Sequence, residues 1–458
     1  MTLERRKGAL DMTQGDPMRL LIRFAIPMLI GSVFQLLYNL VDTMVLGRFV
    51  SAQALAAVGA TSSTTMLILL LGVALSNAMS VLISQNFGAR DERGVHRMMG
   101  LSLIVCTGFS LLIAAFAFTC AESLLRLLDT PEDILPGATV YVRVTCGLFV
   151  GQMFYNSASS VLRAIGDSRT PLIFLIVCSV LNIVLDISFV FLFGAANGIA
   201  AVAWATVLSQ IISAVCSCVY MWRKYPLLHF ERANLRPEAD TVRRFFRIAL
   251  PMLLQNLLIT VGQLVITRVV NGFGTNTVAA YTVGGKVEQI VTVLISQVAF
   301  SFSVYSGQNF GAKKYARIRQ GVRKALVLLG VLTGISMLVL ALLGRPLVLM
   351  FVEAKEQEII SAALEIVRVY SVTLPLLAAI WLYSSALRGM GMVRPTLMSS
   401  ILELCSKIGF SIALSMLMGR FGIWLASPLG WAIGLAPLLW HFYMSHWDQK
   451  LMEAENAV

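Results

Sequence analysis

The stretch SQNFGAR at residues 84–90 recurs almost unchanged as GQNFGAK at residues 307–313. Other segments recur in the same order: FAIPML (24–29) and IALPML (248–253), YVRV (141–144) and IVRV (366–369), SSVLRAIG (159–166) and SSALRGMG (384–391), and Gly198-Ile199 and Gly422-Ile423. The residue numbers of every pair differ by almost the same amount. Shared hydrophobicity alone would not keep so constant a separation, so the sequence predicts a duplicated unit.

The composition is typical of a membrane protein. Of the 458 residues, 57% are hydrophobic and 13% are charged, with a mean hydropathy of +0.79, whereas soluble domains carry about 25% charged residues. A membrane-spanning helix needs about 20 apolar residues. Twelve such runs are present, near 24–46, 55–83, 99–119, 138–160, 171–193, 199–221, 247–270, 277–303, 325–343, 365–386, 396–418 and 423–444.

These spans predict an all-α membrane protein with 12 transmembrane helices in two six-helix lobes. Because six is an even number, both copies enter the membrane in the same direction, and such parallel repeats are related by a pseudo-twofold axis along the membrane normal. The predicted parts are an N-lobe at 1–221 (spans 1–6), a basic cytoplasmic linker at 222–246 and a C-lobe at 247–458 (spans 7–12).

The net charge of +12 follows membrane topology and does not indicate a nucleic-acid partner. With the N-terminus in the cytoplasm, most of the 36 Lys and Arg residues fall in the termini and inward loops, as the positive-inside rule requires. We therefore expect a multi-pass protein of the cytoplasmic membrane with both termini in the cytoplasm. The seven cysteines lie in apolar segments without metal-ligand spacing and are interpreted as packing residues.

Polar residues inside the spans of the first copy indicate a cation site. An aspartate at that depth costs about 2.5–3.5 kcal/mol on insertion scales, yet Asp42 and Asp186 both occur there. Helical spacing puts Tyr38 on the same face as Asp42, and Asn182 on the same face as Asp186. The candidate cation-coupling residues are Tyr38, Asp42, Asn156, Asn182, Asp186 and Thr206.

Their chemistry suits either Na⁺ or a proton. Oxygen ligands favour a hard cation, so Na⁺ is a candidate at Asp42, Asn182, Asp186 and Thr206. Two neighbouring carboxylates in a low dielectric also repel each other, so the pair can instead hold a proton. The alternative is that both aspartates form a fixed polar clasp between helices.

Pro27 and Pro251 occupy equivalent places in the first span of each copy. A proline inside a helix removes a backbone hydrogen bond and permits a kink, which predicts that the first helix bends at Pro27 when Asp42 changes its charge state. The alternative is that both prolines simply lie in the first turn of their spans.

The second copy lacks the acids, because Asp42, Asn182 and Asp186 align near Ile266, Lys407 and Ser411. It carries Lys286, Glu288, Glu403 and Lys407 instead. Glu403 and Lys407 are four residues apart and are expected to neutralise each other. Glu288 has no helical partner and can face a cavity that attracts cations. The candidate substrate-cavity residues are Gln35, Met153, Gln255 and Glu288.

Several segments resemble hallmark segments of the multidrug and toxic compound extrusion (MATE) family: QLLYNLVDTMVLGRFVSAQALAAVGA (35–60), SQNFGAR (84–90), LRAIGDSRTP (162–171) and GIAAVAWATVLSQ (198–210). The resemblance covers nearly the whole chain. It implies cation-driven antiport of cationic, amphipathic compounds.

Within that family the chain is similar to the DinF-like branch. In that branch a cluster matching the six candidate residues is implicated in ion binding, and a proline matching Pro27 in helix bending. NorM-like members carry acids in the seventh and tenth spans, whereas this chain has Gln255 in the seventh and no aspartate upstream of LRG in the tenth.

The leading hypothesis is a secondary active antiporter, not an enzyme, that exchanges H⁺ or Na⁺ for an organic cation by alternating access. It needs no cofactor, functions as a monomer in the lipid bilayer, and takes cationic or amphipathic drugs as partners. One alternative is a flippase for lipid-linked glycan precursors. Another is an intramembrane enzyme, although no HExxH motif and no phosphate-binding loop is present.

Overall fold

The computed structural model describes residues 9–194, 197–449 and 453, and these residues contain no β-strand. The helices are α1 (Pro17–Val45), α2 (Ala52–Gly88), α3 (Glu92–Leu127), α4 (Leu135–Gly147), α5 (Val150–Ala164), α6 (Arg169–Phe193), α7 (Gly198–Lys224), α8 (Ala239–Asn271), α9 (Thr275–Gly311), α10 (Tyr315–Leu349), α11 (Gln357–Gly389), α12 (Val393–Met418) and α13 (Arg420–Leu439). Short π-helical turns, Leu46–Val50 and Trp440–Met444, follow α1 and α13. The predicted all-α class is confirmed.

In the described part of the chain, eleven helices are long and apolar enough to cross a membrane. The expected fourth span, 138–160, differs from the others because two shorter helices, α4 and α5, take its place. Together they cover residues 135–164 and leave the order of the spans unchanged.

Close packing surrounds the break between α4 and α5. A β-carbon at Gly147 would lie 2.8 Å from the Phe118 ring, and one at Gly151 would lie 2.9 Å from the backbone nitrogen of Ile211. Both helices therefore lie directly against a neighbour, where only glycine fits. Phe149, at the break, is buried in the core.

The chain divides into two compact units. Unit 1 contains residues 9–11 and 26–249, and unit 2 contains residues 12–25 and those from 250 onward. The predicted boundaries, 1–221, 222–246 and 247–458, follow the repeat. The packing of the chain differs from them in two places. Residues 12–25 belong to unit 2, and the linker together with the start of α8 belongs to unit 1. Both α1 and α8 thus begin in one unit and continue in the other.

The repeated QNFGA segment fixes the chain before α1. In unit 2, Gln308 Oε1 accepts the backbone N–H of Met12 at 2.8 Å, and Asn309 Nδ2 donates to the Met12 carbonyl at 3.1 Å. Lys314 Nζ donates to the Thr13 carbonyl at 2.9 Å. Gln308 and Asn309 are fully buried, so their side chains replace water as partners for this backbone.

In unit 1, Asp167 joins the α5–α6 loop to the end of α7. Its Oδ2 accepts the hydroxyl protons of Tyr225 and Thr170, both at 2.6 Å, and its Oδ1 accepts the Thr170 backbone N–H at 3.0 Å. Burial, reinforced by the hydrogen bond to Asp167, raises the pKa of Tyr225 far above its ordinary value. A raised pKa keeps the Tyr225 hydroxyl protonated, in agreement with its role as the donor to Asp167.

We predict that Asp167→Ala lowers the free energy of unfolding by about 2–4 kcal/mol, because it removes a buried acceptor shared by several donors. Tyr225→Phe removes a single donor and is the matched control, with an expected loss of about 1–2 kcal/mol. Thermal unfolding of the detergent-purified protein measures both losses. Equal losses in the two variants would show that Asp167 is not the centre of this network.

Candidate functional site

Three helices of unit 1 carry five of the six predicted cation-coupling residues. Tyr38 and Asp42 lie on α1, Asn182 and Asp186 on α6, and Thr206 on α7. Helix α6 packs along α7, and Asn182 Nδ2 donates to Thr206 Oγ1 at 3.4 Å. The four-residue spacing on α6 puts both its polar side chains on one face.

The two carboxyl groups of this site are neighbours. Asp42 on α1 and Asp186 on α6 lie close enough for their charges to interact. Asp186 is fully buried, as is Asn182 beside it, whereas Asp42 is half-buried. Two acidic groups thus face each other in a region from which water is largely excluded.

Several oxygen atoms at this site are buried without a hydrogen-bond partner among the described residues. They are Oδ1 of Asp42, both carboxyl oxygens of Asp186 and Oδ1 of Asn182. A buried polar atom left unpaired costs about 1–3 kcal/mol, and more when it is charged. The unpaired atoms are all acceptors, so what they lack is a positively charged or proton-donating ligand.

Two tyrosines border the carboxyl pair. The Tyr38 hydroxyl lies near both Asp42 and the Thr206 side chain. Tyr141, on α4, interacts with both Asp42 and Asp186. Sequence reasoning missed Tyr141, although the repeat carries a usable signal: YVRV at 141–144 has Tyr where IVRV at 366–369 has Ile.

The other predicted residues of unit 1 have different surroundings. Asn156 lies on α5, and its amide nitrogen is buried without a hydrogen-bond partner among the described residues. Met153 is fully buried, and its sulfur would lie 3.3 Å from a β-carbon at Gly72; its side chain therefore packs against α2 in the interior of the unit. Gln35 is exposed.

In unit 2, Gln255 is buried and its Nε2 donates to Ser400 Oγ at 3.3 Å, which joins α8 to α12. Glu288 is half-buried on α9, and the charge that acts on it comes from Lys407 of α12. The sequence revealed no helical partner for Glu288 because this neighbour lies on another helix.

The end of α1 is firmly held beyond Asp42. Val45 and Leu46 belong to a buried apolar cluster with Ala54, Val190 and Val202. This cluster packs the last turns of α1 against α6 and α7. It therefore holds Asp42 in position near Asp186.

The site offers a small set of oxygen donors. No group of three or more His, Cys, Asp or Glu side chains in the described ranges could hold a metal ion. Two carboxyl groups with a neighbouring amide and hydroxyl oxygen suit a monovalent hard cation or a proton better than a transition metal, which prefers nitrogen or sulfur ligands.

We predict that Asp186→Asn raises the unfolding free energy by about 1–3 kcal/mol in Na⁺-free buffer at alkaline pH, because it removes a buried charge without a partner. The same variant should lose the stabilisation that Na⁺ or protons give the unsubstituted protein. Thermal unfolding in detergent measures both effects. Asp133→Asn, in an exposed loop, is the control and should change neither; a wild-type cation response in Asp186→Asn would contradict the assignment.

Two matches to the MatE family model cover residues 27–188 and 251–413, one in each copy of the repeat. The chain is 32% identical over 313 residues to "Probable multidrug resistance protein YpnP" of Bacillus subtilis, covering 68% of this chain and 69% of that protein. It is also 22% identical to "Probable multidrug resistance protein NorM" of Thermotoga maritima, covering 96% of this chain and 95% of that one.

Solved structures agree with the fold. "Crystal structure of MATE in the bent conformation" superposes with a TM-score of 0.88 at 23% identity, covering 99% of this chain and 98% of the other. "Outward-facing conformation of a multidrug resistance MATE family transporter of the MOP superfamily" superposes with a TM-score of 0.87 at 22% identity, covering 98% and 99%. The duplicated match to the family model, together with the similarity to the Bacillus subtilis protein, shows that this chain belongs to the MATE family.

Proposed function

We propose that the protein is a secondary active multidrug efflux antiporter that exports cationic and amphipathic organic compounds in exchange for H⁺ or Na⁺. The observation that carries the proposal is the pair of carboxyl groups, Asp42 and Asp186, whose buried oxygens have no hydrogen-bond partner among the described residues. The names of the relatives, which include multidrug resistance and multidrug export proteins, support the substrate class.

The unpaired carboxyl oxygens supply the coupling chemistry. When a proton or Na⁺ binds between Asp42 and Asp186, it relieves their mutual repulsion and the cost of burying them. When the ion leaves, that cost returns. The bound and free forms of unit 1 therefore differ in energy, and this difference can bias a conformational equilibrium.

The driving force is adequate. One pH unit is worth about 1.4 kcal/mol, enough for roughly tenfold accumulation of drug outside per proton exchanged. Exchange of one proton for a monovalent organic cation moves no net charge, so membrane potential would not contribute. A neutral substrate would gain about 2.3 kcal/mol per 100 mV for each inward charge.

Rocker-type alternating access needs points at which helices can bend. The candidates are α1 and α8, because each of these helices belongs partly to unit 1 and partly to unit 2. Helix α1 passes from unit 2 into unit 1 at Ile26, directly before Pro27. Helix α8 passes from unit 1 into unit 2 at Leu250, directly before Pro251. A proline leaves the carbonyl four residues earlier without its helical N–H. We propose that α1 and α8 bend at these prolines during transport.

The proposed setting is the cytoplasmic membrane, with both termini in the cytoplasm and the protein acting as a monomer in the bilayer. It is supported by the excess of Lys and Arg in the segments assigned to the inner side. The boundaries 1–221, 222–246 and 247–458 remain our proposal for the two lobes and their linker.

We expect Asp42→Asn to insert normally but to abolish ion-driven efflux of ethidium, because an amide cannot take up and release the coupling cation. Efflux from sealed vesicles, with ΔpH and a Na⁺ gradient imposed separately, measures the effect and also identifies the ion. Asp133→Asn should transport like the unsubstituted protein. Wild-type efflux in Asp42→Asn would refute the coupling role.

We expect Pro27→Ala, and separately Pro251→Ala, to slow ethidium efflux by about tenfold, since restoring a helical hydrogen bond adds about 1.4 kcal/mol to the barrier for bending. Pro346→Ala is a matched control because this proline lies within α10, away from either unit boundary. The hinge proposal fails if Pro346→Ala slows efflux as much as the other two substitutions.

A further inference from the structure

Unit 1 carries an open groove of about 540 Å³ along α6 and α7. Its apolar part is formed by Phe174 of α6 with Val215 and Val219 of α7. The two valines are 56% and 46% exposed, so they face away from the core of the unit. Around a bundle of membrane-spanning helices, the medium that such a groove meets is lipid. Its volume lies within the range of ligand sites, about 300–1,000 Å³.

One end of this groove is basic. Tyr220, Arg223 and Lys224 line it there, and the last two form the final turn of α7. The rings of Phe174 and Tyr220 meet edge to face with their centroids 5.6 Å apart, which joins the apolar part to the basic end. The groove therefore suits a molecule that has a hydrocarbon chain at one end and a negative charge at the other.

The ammonium group of Lys224 is held in place by its neighbours. Nζ donates to the Tyr220 hydroxyl at 2.7 Å and lies 4.9 Å and 5.1 Å from the ring centroids of Tyr220 and Tyr225. The Asp167 carboxylate is 3.7 Å away, and its Oδ2 already accepts the hydroxyl protons of Tyr225 and Thr170. A lysine ammonium has three N–H donors, so Lys224 retains donors for a further anion.

Arg223 adds a second positive charge. Its side chain is exposed and forms no ion pair with any residue that the structure describes. Because Asp167 alone opposes the two cations, the end of the groove is net positive. A guanidinium group beside an ammonium group fits the oxygens of a phosphate, whereas an organic cation would be repelled.

The second copy of the repeat lacks this basic end. The offset of the nearest repeated segment pairs Arg223 with Trp447 and Lys224 with Asp448. Trp447 is buried, and Asp448 forms an ion pair with Arg319 at 2.8 Å. The basic groove is thus a feature of the first copy and not a general consequence of the repeated fold.

We propose that this groove binds one anionic phospholipid, with the phosphate at Arg223 and Lys224 and an acyl chain along the apolar part. Basic pockets between membrane helices on the cytoplasmic side bind anionic headgroups, and the topology proposed above puts the end of α7 on that side. The neighbouring Trp222 is exposed, as is common for tryptophan at headgroup level. The proposal does not depend on the coupling role of Asp42.

The experiment uses the full chain, purified in an uncharged detergent and stripped of bound lipid. Dioleoyl-phosphatidylglycerol should raise the unfolding temperature saturably. Dioleoyl-phosphatidylcholine has the same chains but a cationic choline, and should bind more weakly; glycerol 3-phosphate has the phosphate without chains, and should give no rise. Equal affinity for the two lipids, or an equal rise with glycerol 3-phosphate, would overturn the proposal.

The variant Arg223→Gln/Lys224→Gln should weaken phosphatidylglycerol binding roughly thirtyfold, because each basic residue near the membrane surface strengthens binding of anionic lipid. The matched control is Arg243→Gln/Arg244→Gln, which removes the same charge from exposed positions near the start of α8 and should bind like the unsubstituted protein. Equal weakening in the control would show unspecific attraction of anionic lipid and would overturn the proposal.

Two further variants keep the test decisive if loss of Lys224 beside Asp167 prevents folding. Arg223→Gln alone leaves that ion pair intact and should weaken binding roughly fivefold. Val219→Trp fills the groove from an exposed position, leaves both charges in place, and should abolish saturable binding. Unchanged affinity in either variant would overturn the proposal. Because the readout is lipid binding, this result leaves the antiport proposal untouched.

Discussion

The structure depends on one constraint: two carboxyl groups lie close together inside a bundle of helices that are long and apolar enough to span a membrane. Asp186 is fully buried, and its two oxygens, like Oδ1 of Asp42, have no hydrogen-bond partner among the described residues. Buried acids are tolerated when a partner or ligand compensates them. The surrounding packing holds the two groups together despite their repulsion, most directly through the apolar cluster around Val45 and Leu46.

The duplicated architecture lets this constraint act in one unit only. Both units contain the same helix crossing, at Asn182 and Thr206 in one and at Lys407 and Gly430 in the other. The second copy carries Lys407 at the place that Asn182 holds in the first, so the two units differ in charge at this crossing.

Features that depend on local spacing were predictable from the sequence. Periodicity located the spans, the constant separation of the anchors revealed the duplication, and the four-residue step from Asn182 to Asp186 identified a shared face. Features that depend on contacts between distant segments were not. Gly147 and Gly151, on either side of the break between α4 and α5, pack against Phe118 and Ile211, which lie on other helices.

The same limit explains the residues that were missed or placed differently. Tyr141 joins the site only through its position near Asp42 and Asp186, which lie on other helices. Residues 12–25 lie at the start of the first copy in sequence but pack in unit 2, where Met12 is hydrogen-bonded to Gln308 and Asn309. No periodic pattern records such long-range pairings.

The central claim is that the Asp42–Asp186 pair binds the coupling cation and releases it when drug binds. Ion release from the detergent-purified protein on addition of ethidium, followed with a pH indicator or a Na⁺ electrode, tests this claim most directly. By reciprocal linkage the account predicts about one cation released per ethidium bound, and none from a variant lacking both carboxyl groups. Ethidium binding without ion release, or unchanged release from that variant, would contradict it.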